Sequence, residues 1–303
     1  MAIKFLNNNK PQGEGASSRP LVHFALLLLL GLLMTSNTSA GEKQKKLLIL
    51  HTSDTHSCIV PLQKNLSDTM LADRGGYLRR IAAINAERKD NPSLLLFDTG
   101  DFSQGSAYYT YFKGDVEVGL MNLMHYDAVT IGNHEFDFGL DNMARIFKLA
   151  NFPIVCANYD FTGTVVEGLV KPYVILKRQG VKIGVFGIAP QMEGLITKEN
   201  YAGVKYLDPV KTALETATML KEEKGCDVVV CLSHMGWNMG GIDDDAKVIQ
   251  GSRNIDIVLG GHSHTYLKEL EYCPNMDGRP IPVDHNGKHA VFVGRIELNL
   301  DKQ

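Results

Sequence analysis

No two cysteines in the sequence stand at the spacing of a zinc ribbon or a redox motif. The five present, Cys58, Cys156, Cys226, Cys231 and Cys273, are an odd number that cannot all pair internally. The chain is long enough to bury a sizeable core without a disulfide framework, and Cys156 and Cys231, set in apolar runs, read as buried thiols. An excess of charge of one sign is also lacking. The 31 Lys and Arg against 34 Asp and Glu leave a formal net charge of -3, which excludes the electrostatic footprint of a binder of nucleic-acid duplexes and any acidic or basic tail. Beyond Gly41 there is no internal repeat, low-complexity tract or long Pro/Gly/Ser linker, so one compact domain over residues 41–303 is the economical reading.

A long apolar run occurs once, from Phe24 to Met34, behind Lys4, Lys10 and Arg19. That order, followed by Thr38 and Ala40 at the minus-three and minus-one positions before Gly41, reads as a secretory signal peptide over residues 1–40. The run is short for a bilayer span, although Leu21 and Val22 extend it towards the rival reading of an uncleaved anchor. No cysteine follows it to take a lipid. The expectation is an exported protein, periplasmic or secreted, with no membrane span after cleavage.

From Lys46 onward, short apolar runs alternate with amphipathic stretches. Leu47 to Leu50, Leu94 to Phe97, Ala128 to Ile131, Pro153 to Ala157, Val228 to Leu232 and Ile255 to Leu259 have the length of buried strands. Tyr77, Ile81 and Ile84 mark one face of a helix, and Val116 to Met124 and Pro209 to Glu223 read as helices too. The alternation predicts an α/β architecture. Tyr173 to Lys177 and Val181 to Gly187, joined through Gln179-Gly180, read as a hairpin. Ile281 to Val283, Ala290 to Gly294 and Ile296 to Leu300, around the turn signal Asn286-Gly287, read as further strands.

Almost every strand-like run ends in a polar cluster, and in open α/β sheets the loops after the strands' carboxyl ends are where ligands bind. Asp54 and His56 follow the first run, two apart, although an Asp-x-His alone is more often a cap or a solvated turn. Asp101 follows the second behind Gly100, and by itself it is as well a turn residue. After the third come Asn133, His134 and Asp137; on a helical turn, His134 and Asp137 share a face as an acid–base group with its orienter. His234 closes the fourth run, where a lone histidine is commonly core. His262 and His264 follow Gly260-Gly261 at a spacing that suits ligation better than packing. Seven oxygen and imidazole donors without a thiol suit Mn, Zn, Fe, Co or Mg. His51 reads as structural, His125, His285 and His289 as surface or packing residues, Arg79 and Arg80 as solvated, and Tyr108, Tyr109 and Tyr111 as packing rather than pocket.

The ordered set Asp-x-His, Gly-Asp, Gly-Asn-His-Glu, a later His and Gly-His-x-His resembles the calcineurin-like metallophosphoesterases over nearly the whole of residues 41–303. The stretches at 51 to 56, 98 to 106 and 132 to 139 resemble the 5'-nucleotidase branch in particular. The resemblance implies a four-layer α/β/β/α sandwich and a phosphoester hydrolase with two divalent ions. Asp54, His56, Asp101 and His264 would hold one ion and Asp101, Asn133, His234 and His262 the other, with His134 and Asp137 acting on the phosphoryl group or the leaving oxygen. The implied substrate is a small phosphate ester, first of all a nucleotide. The alternative is a broader phosphomonoesterase or phosphodiesterase, 2',3'-cyclic nucleotides included, or a catalytic half needing a specificity subunit. Members of the branch usually carry a second domain whose aromatics hold the base, so a separate base-recognition domain is an expected partner.

Overall fold

The structure, a computed structural model, describes residues 2–7, 45–240 and 243–301. The expected signal-peptide run and its cleavage point lie outside the described residues, although Ala2–Asn7 form a strand, β1. The chain then runs through β2 (Lys45–Thr52), α1 (Tyr77–Asp90), β3 (Leu95–Asp98), α2 (Ala107–Phe112), α3 (Asp115–Met124), β4 (Ala128–Thr130), α4 (Gly139–Phe147), β5 (Ile154–Val155), β6 (Tyr159–Asp160) and β7 (Val170–Lys171). With β15 (Gly294–Asp301) these strands, β6 excepted, make a seven-stranded sheet in the order β1-β15-β2-β3-β4-β5-β7. From β2 to β7 neighbours are parallel, while β15 runs antiparallel to both β2 and β1.

The second half supplies β8 (Tyr173–Arg178), β9 (Val181–Ile188), β10 (Lys205–Tyr206), α5 (Pro209–Thr218), β11 (Val228–Ser233), α6 (Asp245–Gln250), β12 (Ile257–Gly260), β13 (Glu271–Pro274) and β14 (Pro280–His285). Six of these strands form a second sheet, β13-β14-β12-β11-β9-β8, parallel in its four central members. The β8–β9 hairpin forms as the sequence predicts, because Gln179 (φ 50°) and Gly180 (φ 76°) take the two left-handed positions of its turn. β10 pairs with β6 as a small separate ribbon.

Alternate residues of each strand point to opposite faces, and this sorts the core into three layers. Leu47, Ile49, Leu95 and Phe97 of the first sheet face Val228, Val230, Ile257 and Leu259 of the second. Leu48, Leu50, Leu96 and Val129 face outward onto Ile84 of α1, Met121 of α3 and Ile146 of α4. Val229, Cys231 and Val258 face outward onto Ala213 of α5 and Val248 of α6. Helix, sheet, sheet and helix are thus stacked as an α/β/β/α sandwich, the expected architecture. The five cysteines are free and buried.

Two expectations are corrected. Residues 290–293 are loop, with only Gly294 entering a strand. The Val-Phe-Val composition suggests strand, but β14 belongs to the second sheet and β15 to the first, so Asn286-Gly287 opens a crossing between sheets and not a hairpin. Arg80 is 1% exposed, not solvated; it lies inside α1's buried face, over the Tyr77 ring at 4.9 Å. Arg79 alone faces water, 50% exposed. His51 is structural as expected. Its ring nitrogen Nε2 lies 2.9 Å from Asp284 Oδ2, and its carbonyl accepts from Asn286 Nδ2 at 2.7 Å, tying β2 to the end of β14 across the two sheets.

Candidate metal centre

Loops from both sheets converge at the carboxyl ends of the parallel strands. Beyond β2 and β3 the backbone pairing continues, with Asp54 N–H donating to Gly100 O and His56 N–H to Asp101 O, each at 3.0 Å. This brings the first two clusters together. Asp54 (φ 46°), His56 (φ 42°), Asp101 (φ 54°), His262 (φ 74°) and His264 (φ 56°) all sit in the left-handed region, where a residue with a side chain is strained. Five such residues in one place indicate loops held by their surroundings. Gly261 is required by close approach: a Cβ there would lie 2.9 Å from His234 Nδ1 and 3.0 Å from Asp54 Oδ2.

Six of the seven residues singled out as donors are brought together here, and Asn133 directly precedes His134, whose N–H donates to Asp101 Oδ1. His56 Nε2 lies 2.8 Å from His264 Nε2, and His264 Nε2 lies 3.7 Å from Asp54 Oδ1. His234 Nε2 lies 3.1 Å from Asp101 Oδ2 and 3.9 Å from Asp54 Oδ1. The donor atoms of Asp54, His56 and His264 form one compact group, those of Asp101, His234 and His262 a second, and Asp101 joins His56 and His134 in a third. Asp101 thus stands between the first two. His134 opens a 3-10 turn that Asp137 caps, with His134 Nδ1 at 3.1 Å and 3.2 Å from the two Asp137 oxygens.

Several residues orient these donors. His234 Nδ1–H donates to Thr99 O at 2.6 Å, which leaves Nε2 free to face a cation. Asp54 accepts the His262 N–H at 3.0 Å and the Ser53 hydroxyl. Glu135, buried, accepts from the backbone N–H groups of Gly132 (2.7 Å), Asp101 (3.0 Å) and Ser103 (3.1 Å), clamping the loops after β3 and β4 together. Its role was visible in the sequence only as a carboxylate inside Gly-Asn-His-Glu. His289, read as ordinary, is at the rim: its ring centroid is 5.9 Å from that of His56 and its N–H donates to Asp54 O at 2.8 Å. His125 is an exposed helix cap and His285 a buried partner of Asp245 at 2.7 Å, both as expected. Tyr109 is buried beside the dyad, its hydroxyl 3.4 Å from His134 O, whereas Tyr111 is 80% exposed.

The electrostatics match a donor set for cations. Burial pushes Asp54 up to about 7, with Asp101 adding to the rise. Asp101 would be raised by burial too, but His234 and the other imidazoles hold it well below the carboxylate range. Burial lowers His56 to about 3 and His262 and His264 to about 4, favouring the neutral, ligating form. His234 runs the other way, to about 10, because Asp101 outweighs its burial. His134 is raised as well, its burial overcome by Asp137 and Asp101. Asn133 Oδ1 is buried with no hydrogen-bond partner, and a buried oxygen left unpaired is costly unless something electropositive faces it. Oxygen and imidazole donors, converging nitrogens and this unpartnered amide oxygen fit divalent cations.

Residues 47–266 match the family model of calcineurin-like phosphoesterases. The chain belongs to that family. With the family come divalent metal ions and a reaction class, phosphoric ester hydrolysis. Among curated proteins, the chain is 30% identical over 297 residues to human 5'-nucleotidase, covering 92% of this chain and 50% of that one. The solved structure of a 5'-nucleotidase precursor from Thermus thermophilus matches with a TM-score of 0.76 at 28% identity, over 85% of this chain and 52% of that one. The calcineurin-like phosphoesterase YfkN from Bacillus subtilis matches with a TM-score of 0.71 at 31% identity, over 86% of each. The phosphoesterase spans about half the length of the human and Thermus relatives.

Proposed function

We propose that this phosphoesterase is a 5'-nucleotidase-like phosphomonoesterase that releases phosphate from nucleotides at a centre of two divalent ions. The observation that carries the reading is the packing of the donors: Asp101 stands between two groups of ligand atoms, with His234 Nε2 3.1 Å from it, while His134 and Asp137 stand beside them as a pair. Asp54, His56 and His264 with Asp101 would hold one ion, and His234, His262 and Asn133 with Asp101 the other. Bound there, two divalent ions supply Lewis acidity to phosphoryl oxygens and lower the pKa of an attacking water.

The chain's own residues do the rest. Asp137 accepts from His134 Nδ1–H, which fixes the tautomer and favours the protonated ring. Nε2–H is then the group to donate to the phosphoryl oxygens or to the leaving oxygen. His134 N–H donates to Asp101 Oδ1 at 2.9 Å, so the same turn that carries the acid also orients the shared carboxylate. The nucleotide preference rests on the likeness to 5'-nucleotidases, and a base-recognition domain on another chain or segment would complete it. Export is the localisation we propose from the signal-like residues 1–40. No helix among the described residues is long and apolar enough to cross a membrane.

The test is phosphate release by the protein loaded with Mn, compared across nucleoside monophosphates, cyclic nucleotides and p-nitrophenyl esters. Faster release from nucleoside monophosphates is the expected result. Equal rates on aryl and nucleoside monophosphates remove the nucleotide claim, and preferential cleavage of cyclic nucleotides or bis-aryl esters replaces the monoesterase with a phosphodiesterase.

A further inference from the structure

His56 and Ser57 are consecutive left-handed residues, φ 42° and 48°, a backbone path that residues with side chains keep only where surrounding contacts impose it. Their N–H groups donate to Asp101 O and Phe102 O, each at 3.0 Å, and the His56 carbonyl is packed so closely that a Cβ on Gly105 would lie 2.6 Å from its oxygen. These contacts hold the backbone. The Ser57 side chain adds a tether of another kind: its hydroxyl donates to Glu117 Oε1 and lies 2.6 Å from Ser106 Oγ. A hydroxyl has one hydrogen, so Ser106 is the donor to Ser57. Ser106 in turn accepts the Tyr108 N–H at 3.1 Å as the cap of α2. The bonds run in one direction, from Tyr108 N–H through Ser106 and Ser57 to Glu117, and each donor in such a chain polarises the next.

Glu117 ends the chain of bonds. It is fully buried in the first turn of α3, and its second oxygen, Oε2, has no hydrogen-bond partner. No Lys, Arg or His forms an ion pair with it among the described residues, and its side chain's bond to another residue is the one from Ser57. The N-terminus of α3 eases the burial of an acid there. Even so, a carboxyl with an unpaired oxygen is destabilising where an apolar side chain would simply pack. Packing therefore does not account for Glu117, whereas the acceptor it offers Ser57 does. Glu135 clamps the loops after β3 and β4 through their backbone. Glu117 is the counterpart on the other side, a buried acid that ties the loop after β2 to α3 through a side chain.

We propose that Glu117 is a positioning residue for the candidate metal centre: through Ser57 it holds the strained His56 turn, and so sets the affinity of the Asp54–His56–His264 group for its ion, leaving the Asp101–His234–His262 group to the contacts of its own loops. The inference rests on the two-ion reading of the site and not on which ester is cleaved there. Glu117 touches neither ion nor substrate, and acts by keeping one imidazole in place.

The experiment titrates Mn into the wild type, Glu117→Ala, Glu117→Gln and Ser57→Ala, with binding read by calorimetry and electron paramagnetic resonance. Glu117→Ala and Ser57→Ala should each weaken one of the two ions about 10- to 100-fold and leave the other unchanged. The double variant should be no worse than either, because both remove the same bond. Glu117→Gln keeps an acceptor oxygen for Ser57 and should recover most of the affinity. Which ion is weakened is read by adding Glu117→Ala to His262→Ala, where only the first group is intact, and to His264→Ala, where only the second is; the loss should appear in the former alone. Equal weakening of both ions, a loss that Glu117→Gln does not recover, or no weakening at all overturns the proposal. If Glu117→Ala does not fold, Ser57→Ala carries the same readings. A wild type that binds a single Mn removes the two-ion reading instead; the role of Glu117 then stands if Glu117→Ala weakens that ion and Glu117→Gln restores it, and falls otherwise.

Discussion

The two sheets contribute unlike halves to the candidate metal centre. Loops of the first carry Asp54, His56, Asp101, Asn133 and the His134–Asp137 pair: every carboxylate and amide among the candidate donors, and the proposed acid–base pair. Loops of the second carry His234, His262 and His264, imidazoles alone. The first half therefore brings the carboxylates, whereas the second brings imidazoles, with burial disfavouring protonation at His262 and His264 and Asp101 favouring it at His234. The Asp54–His56–His264 group and the Asp101–His234–His262 group each draw on both sheets. The site exists because the sandwich holds the sheet ends together, and the His51–Asp284 contact is one of the ties at that seam.

The sharpest way to break this comparison is to remove one donor from each half. Asp101→Ala should cost about a thousandfold or more in kcat/KM and lose ions from both groups, since its carboxylate joins them. His262→Ala should lose one ion and less activity. Equal metal loss in the two variants, measured by elemental analysis beside phosphate release, would refute the shared role of Asp101. His134→Ala separates proton chemistry from ligation: kcat should fall about a hundred- to ten-thousandfold with metal content retained, and loss of metal would make it a ligand instead.

Smaller effects sharpen the comparison. Glu135→Gln turns an amide N–H towards backbone donors that now meet a carboxylate, and should destabilise by about 1–3 kcal/mol in denaturant unfolding. Activity should fall with it, because the Asp101 and His134 loops share that clamp. His51→Ala should cost about 1–3 kcal/mol by leaving Asp284 a buried carboxylate without its ring partner. Arg79→Ala should shift stability by less than about 0.5 kcal/mol, as its partner Asp73 is exposed too.

The sandwich and the convergence of donors were legible because the signal is local: an apolar run of strand length followed at once by Asp, His or Asn. Asp54 and His264 are far apart in sequence, yet each announces itself by following a buried strand. What stayed hidden depends on partners remote in the chain. Glu135 is one acid among 34 until Asp101 and Ser103 are folded against it. Arg79 and Arg80 are adjacent and chemically identical, and only the rotation of α1 against the core makes one solvent-exposed and the other buried. The Val-Phe-Val stretch has strand composition, but which sheet follows is a property of the whole sandwich, so composition misread the crossing.

The pairing of β15 beside β2 sets a schedule as well as a shape. Gly294 lies opposite His51, so one side of β2 has no native neighbour until residue 294 and those after it have been synthesised. At ribosomal speeds of about 5–20 residues per second, that side of β2 is open for on the order of ten to fifty seconds. An unpaired strand edge over that interval is a target for wrong partners. It also keeps the first half from locking into its final form until the same topology closes its sheet.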